Sequence, residues 1–101
     1  MAISIGINGF GRIGRSVFRI LSQRKDVEVV AINDLTDQRT LAYLCRYDTV
    51  HGPYPGPVAL YDGRLTAGSQ QPRLFSERDP GVLPWAELKV DVAIEATGQF
   101  R

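Results

Sequence analysis

The sequence predicts an α/β fold with a partly parallel sheet, and three observations carry that prediction. A strand, a helix and a second strand follow one another within the first 32 residues. Two short β-type runs flank Asp62-Gly63. A last apolar run, residues 90–96, suits a further parallel strand.

In the first strand Ile3, Ile5 and Ile7 alternate with Ser4 and Gly6 over residues 2–7. From Phe10 the spacing of Phe10, Ile13, Val17, Ile20 and Leu21 predicts a helix of about four turns, with Arg15, Arg19 and Gln23 off its apolar face. Residues 27–32 are rich in β-branched side chains and form the second strand, and a right-handed crossover makes the two strands parallel. Thr36 and Asp37 can cap a second helix carrying Leu41, Leu44 and Cys45, ending near Tyr47-Asp48. Residues 51–57 hold three prolines and two glycines and are expected to form a rigid loop. Residues 58–61 and 64–67 then make a hairpin around Asp62-Gly63. Residues 73–76 add a strand, residues 78–81 a turn, and Pro84 opens a short helix through Leu88. The reading is a sheet with an antiparallel hairpin inserted between the second helix and the last parallel strand.

Composition narrows the class. A chain of 101 residues suits one domain that buries about two-thirds of its unfolded surface. A net charge of +1 removes support for a basic nucleic-acid-binding tail or an acidic disordered one. No apolar run approaches the ~20 residues of a membrane span, and no basic region precedes the N-terminal apolar stretch as in a signal peptide. A cytoplasmic chain without nucleic-acid or membrane partners is expected. Cys45 stands alone, so neither a disulfide framework nor a multi-cysteine metal site is available, and no metal site is expected.

The sharpest motif is Gly9-Phe10-Gly11-Arg12-Ile13-Gly14. Glycines at this spacing occur by chance, but these follow a strand and open a helix, and Asp34 ends the next strand 20 residues after Gly14. Gly9 permits the sharp turn, Gly11 lets the backbone approach a pyrophosphate, and Gly14 lets helix and strand pack closely. The helix N-terminus offers unpaired N–H groups to the anion. Arg12 and Arg15 oppose the helix dipole there, which a bound anion would offset. Arg12 is assigned to the surroundings of the ligand, and Arg15 to solvent or an acidic neighbour. Asp34 suits the ribose hydroxyls of NAD and repels the 2′-phosphate of NADP; the competing role is a cap on the connection to the next helix. Thr97 and Gly98 follow the last strand and should face the same crevice, while Phe100 packs either on a ligand ring or on further sheet. Cys45 reads as a buried small hydrophobe, the pairing with His51 being the disfavoured alternative, and Trp85 reads as core.

These residues resemble one family specifically. The run Ile7-Asn8-Gly9-Phe10-Gly11-Arg12-Ile13-Gly14-Arg15 is similar to the opening signature of glyceraldehyde-3-phosphate dehydrogenases. The likeness continues at residues 31–35, 44–52, 77–80, 83–85 and 90–98, and is weakest over residues 57–75. The resemblance implies a Rossmann-like NAD-binding domain over residues 1–101, incomplete relative to the family domain. It implies backbone contacts from Arg12 and Ile13 to the pyrophosphate, Asp34 on the adenosine ribose and Arg78 beside the adenine. Thr97, Gly98 and Phe100 would line the crevice toward the nicotinamide.

The family's catalytic cysteine and histidine motifs are absent from residues 1–101, so no catalytic residue is assigned and the chain alone is expected to be inactive. In a full-length enzyme the resemblance implies a sugar-phosphate aldehyde oxidised through a thioester, cleaved by phosphate to an acyl phosphate, within a homo-oligomer, a tetramer by family. The alternatives are an erythrose-4-phosphate dehydrogenase relative, which tends to carry glutamate in place of Asp34, and a stand-alone nucleotide-binding module. If the last strand becomes an edge, exposed apolar surface predicts marginal stability or self-association.

Overall fold

The computed structural model describes residues 2–48, 52–79 and 83–97. Six strands form one sheet in the order β5 (Val58–Tyr61), β6 (Arg64–Ala67), β7 (Arg73–Phe75), β2 (Val27–Asn33), β1 (Ile3–Asn8), β8 (Val92–Glu95), with helices α1 (Arg12–Leu21) and α2 (Gln38–Arg46). Strand β1 (Ile3–Asn8) runs parallel to β2 (Val27–Asn33) on one side and to β8 (Val92–Glu95) on the other. Strand β7 (Arg73–Phe75) lies parallel to β2. The predicted hairpin, β5 (Val58–Tyr61) and β6 (Arg64–Ala67), is antiparallel and joins the sheet through an antiparallel contact between Arg64 and Arg73. Its turn places Asp62 at φ 53° and Gly63 at φ 74°, the left-handed pair that a two-residue hairpin needs. Strands β3 (Tyr47–Asp48) and β4 (Gly52–Pro53) form a separate antiparallel pair, so part of the expected proline-rich loop is β-structured.

The core lies between the sheet and its helices. Ile7, Phe10, Phe18, Val29, Ile32, Leu41 and Leu65 are all buried, and Phe10 meets Phe18 edge to face at 5.8 Å. The buried line of α1 corrects the sequence reading. It runs through Gly14, Phe18 and, partly buried, Leu21, whereas Ile13 and Ile20 are each 65% exposed. The cause is Gly14: hydropathy patterning scores a glycine as neutral, yet here it marks the closest approach of helix to strand and sets which face turns inward.

Helix α1 is also shorter than four turns, and the side chain of buried Gln70 sits where it ends. Its Nε2 donates to the carbonyls of Leu21, Arg24 and Val27, while its Oε1 accepts the Val29 N–H at 2.7 Å. Helix α2 starts as expected at Asp37, which accepts the Thr40 N–H at 3.1 Å. The helix expected from Pro84 is a single turn. Lys89 adopts φ 57°, and the bonds Lys89 N to Ala86 O (3.2 Å) and Val90 N to Trp85 O (3.0 Å) close it in a Schellman pattern. The half-buried Trp85 ring lies over Gly6, where an added Cβ would sit 3.3 Å from it. Among the described residues, no helix is long and apolar enough to cross a membrane.

Candidate functional site

Strands β1, β2, β7 and β8 share one direction, so their carboxyl ends lie along one rim of the sheet. A crevice of about 320 Å³ opens there, at the place where open α/β sheets take ligands. Its floor is Asn8, Gly9 and Gly11. One wall is Asn33, Asp34 and Leu35, with Glu77 and Arg78 beyond them, and the other is Ala96 and Thr97.

The three motif glycines are glycine for three different reasons. Gly9 takes φ 100°, and a Cβ on it would come within 2.6 Å of the Thr97 backbone nitrogen. On Gly14, a Cβ would lie 2.2 Å from the Gly9 carbonyl oxygen, so helix and loop touch through it. Gly11 has φ −75°, open to any residue, and a Cβ there meets nothing within 4 Å. No contact within the described protein requires glycine at position 11.

The N-terminus of α1 carries no acidic residue in its first turn and no capping side-chain bond. The first intrahelical bond runs from the Arg15 N–H to the Gly11 carbonyl at 2.9 Å. The backbone N–H groups of Arg12, Ile13 and Gly14 therefore precede any intrahelical partner, and they are the groups a helix offers to an anion. The Arg12 and Ile13 side chains are exposed. Arg15 turns back instead, its Nη1 donating to the Phe10 carbonyl at 3.0 Å.

Asp34 fills the role that the sequence reading held as its alternative, a cap on the connection to the next helix, and it also ties that connection to the glycine loop. Oδ1 accepts the Thr36 N–H at 2.9 Å, turning the chain toward α2, and Oδ2 accepts the Phe10 N–H at 2.7 Å, tying β2 to the glycine loop. Each oxygen keeps a further lone pair, and the half-buried carboxylate lines the crevice. Arg78 and Thr97 line it as well. Gly98, Phe100 and His51 lie outside the described residues.

The sequence reading gave no ligand-site role to Asn8, Asn33, Glu77, Glu95 or Ala96. Asn33 Nδ2 donates to Asn8 Oδ1 at 2.9 Å, and Asn8 Nδ2 donates to Glu95 Oε2 at 2.9 Å. The Thr97 hydroxyl, helped by the Asn8 amide, holds the Glu95 carboxyl below its ordinary range.

Cys45 takes no part in the crevice. It is 1% exposed, and burial pushes its thiol up to about 11 against the pull of Arg19, Arg15 and Arg46. Such a thiol is a core residue, as the sequence indicated. Among the described residues no three His, Cys, Asp or Glu side chains cluster as metal ligands.

Comparison with known proteins agrees with this geometry. The family described as "Glyceraldehyde 3-phosphate dehydrogenase, NAD binding domain" matches residues 3–101. The glyceraldehyde-3-phosphate dehydrogenase of Haemophilus influenzae is 53% identical over 100 residues, covering 99% of this chain and 30% of the relative. Glyceraldehyde-3-phosphate dehydrogenase A of Escherichia coli K12 is 52% identical with the same coverage. The Thermotoga maritima enzyme is 54% identical over 99 residues, covering 96% of this chain and 30% of the relative. The chain thus spans about a third of the length of these curated relatives, and it belongs to the family of glyceraldehyde-3-phosphate dehydrogenase NAD-binding domains.

Proposed function

We propose that the crevice at the strand ends binds NAD, and that the chain is the cofactor-holding part of a phosphorylating glyceraldehyde-3-phosphate dehydrogenase. Bound NAD would supply hydride acceptance from an aldehyde substrate. The work of this chain's own residues is to hold and orient the cofactor. The N–H groups of Arg12 and Ile13 point at the pyrophosphate, aided by the positive end of α1. Asp34 accepts from the adenosine ribose with the lone pairs that Phe10 and Thr36 leave open, Arg78 borders the adenine, and Thr97, Gly98 and Phe100 lead toward the nicotinamide.

The observation that carries this reading is Gly11. Position 11 lies at the crevice floor with an ordinary φ and empty space where a side chain would project. A ligand backbone passing there, close enough to exclude a Cβ, explains the glycine. The carboxylate of Asp34 at the ribose position favours NAD over NADP, whose 2′-phosphate would meet it as a like charge.

The sugar-phosphate substrate, acyl-phosphate product and tetrameric assembly belong to the whole enzyme. The 101-residue chain alone is expected to bind NAD without turning over an aldehyde, since residues 1–101 hold no counterpart of the family's catalytic cysteine motif. Calorimetric titration of the purified chain with NAD and with NADP tests the reading. Saturable NAD binding at least tenfold tighter than NADP is expected. Equal affinity for both would remove the ribose role of Asp34, and no binding of either by a folded chain would remove the function.

A further inference from the structure

Four segments border the crevice: Asn8 with the glycine loop, residues 33–35, residues 77–78, and residues 96–97. One chain of side-chain hydrogen bonds connects them, and its direction is fixed by elementary donor and acceptor rules. The Glu77 peptide has one N–H and one C=O, which cannot exchange roles. The N–H therefore meets Asn33 Oδ1 at 2.8 Å, and the carbonyl meets Asn33 Nδ2 at 3.0 Å. Nδ2 has a second proton, aimed at Asn8 2.9 Å away, so Asn8 must present its oxygen there. The Asn8 Nδ2 is then left facing Glu95 Oε2 at 2.9 Å, a carboxylate that can only accept. The other Glu95 oxygen takes the Thr97 hydroxyl at 2.6 Å and faces the Thr97 N–H at 3.4 Å.

The same two asparagines hold the loops through their backbones. The Gly9 N–H donates to the Asn33 carbonyl and the Ala96 N–H to the Asn8 carbonyl, each at 2.7 Å. Both asparagine side chains are buried, Asn8 7% and Asn33 4% exposed. Burying amides costs free energy that an apolar residue at a strand end would not incur. The parallel ladders already join β1, β2 and β8, and the end contacts of the side-chain relay, on Glu77 and Thr97, go to segments bordering the crevice.

We propose that Asn33, Asn8 and Glu95 are positioning residues for the dinucleotide: a one-way relay that fixes the 77–78 segment, the glycine loop and the 96–97 segment at the separation the cofactor requires. The inference rests on the NAD-binding reading above and deepens it.

Reversing one bond of the relay tests it. Asn8→Asp sets two carboxylates face to face and is expected to weaken NAD binding about tenfold or more. In the double variant Asn8→Asp/Glu95→Gln, position 8 accepts both from Asn33 and from the new amide at position 95, whose oxygen serves Thr97. Every bond is then present with the 8–95 bond inverted, and affinity is expected to return to within about threefold of the original. Glu95→Ala, at an exposed position on the strand that ends the described sheet, covers the case in which Asn8→Asp does not fold; about tenfold weaker NAD binding is expected from the folded variant, with a melting midpoint lowered by the loss of the Asn8 amide's acceptor.

If the unaltered chain binds NAD and the folded single variants bind it equally well, the relay is overturned while the function stands. A folded double variant as weak as Asn8→Asp also overturns it. A folded, unaltered chain that binds no NAD overturns both.

Discussion

A Cβ on Gly14 would lie 2.2 Å from the Gly9 carbonyl oxygen, whereas one on Gly11 would touch nothing within 4 Å. Residues three apart in one motif therefore answer to different constraints, and substitution separates them. Gly14→Ala is expected to destabilise the fold by about 1–3 kcal/mol, because helix and loop must move apart. Thermal unfolding checks this, and an unchanged midpoint would show that the contact relaxes without cost. Cys45 supplies a second prediction at this scale. Its folded pKa of about 11 lies above the ordinary 9.0, so the folded state keeps a proton that the unfolded state releases. That contribution is complete below about pH 9 and is lost as pH rises toward 11. Alkylation of Cys45 at neutral pH should accordingly be slow in the folded chain and fast in denaturant. The motif glycines were legible in the sequence because their spacing carries its own mechanism. Asn8, Asn33 and Glu95 were not, since the bonds that link them span 25 to 87 residues and a polar residue at a strand end has no periodic signature.

At the scale of elements, the boundaries of α1 and α2 rest on different devices. Asp37 is a local cap, readable in the sequence, and its carboxyl is held below the ordinary aspartate range by the Thr40 side chain and N–H. The depressed pKa means that the cap's contribution is present above the unfolded value and lost as pH falls through the folded one. Helix content should therefore decline on acidification below about pH 4 more in the original chain than in Asp37→Ala, and circular dichroism compares the two. Where α1 ends, the side chain of Gln70 comes from 49 residues downstream to the Leu21 carbonyl, and nothing local announces it. Gln70→Ala leaves three carbonyls and the Val29 N–H without this partner, and should cost about 3 kcal/mol, a fall of roughly 12–24 °C in melting midpoint. The one-turn segment after Pro84 departs from the expected helix for a related reason: Lys89 enters the left-handed region and closes the turn before a second one can form.

Across the whole molecule, the order of elements and the parallel sheet were readable because strand, helix and strand periodicities alternate cleanly. The inward face of α1 was not, because Gly14 and not an apolar residue sets it. Strand β8 ends the described sheet, with Val92 47% exposed and Ala93 and Glu95 also exposed. An edge of this kind offers unpaired backbone groups to another chain. Sedimentation of the 101-residue chain is expected to show concentration-dependent self-association, and a strictly monomeric species would contradict that.

If the cofactor passes through the open space at Gly11, a side chain placed there must block it. Calorimetric titration with NAD, performed on the original chain and on Gly11→Val with the melting midpoint of each recorded, tests it most directly. The substitution is expected to cost no more than about 1 kcal/mol, the loss of a favourable helix N-cap residue where the side chain itself meets open space, and to abolish NAD binding. A Gly11→Val chain that binds NAD as tightly as the original would contradict it.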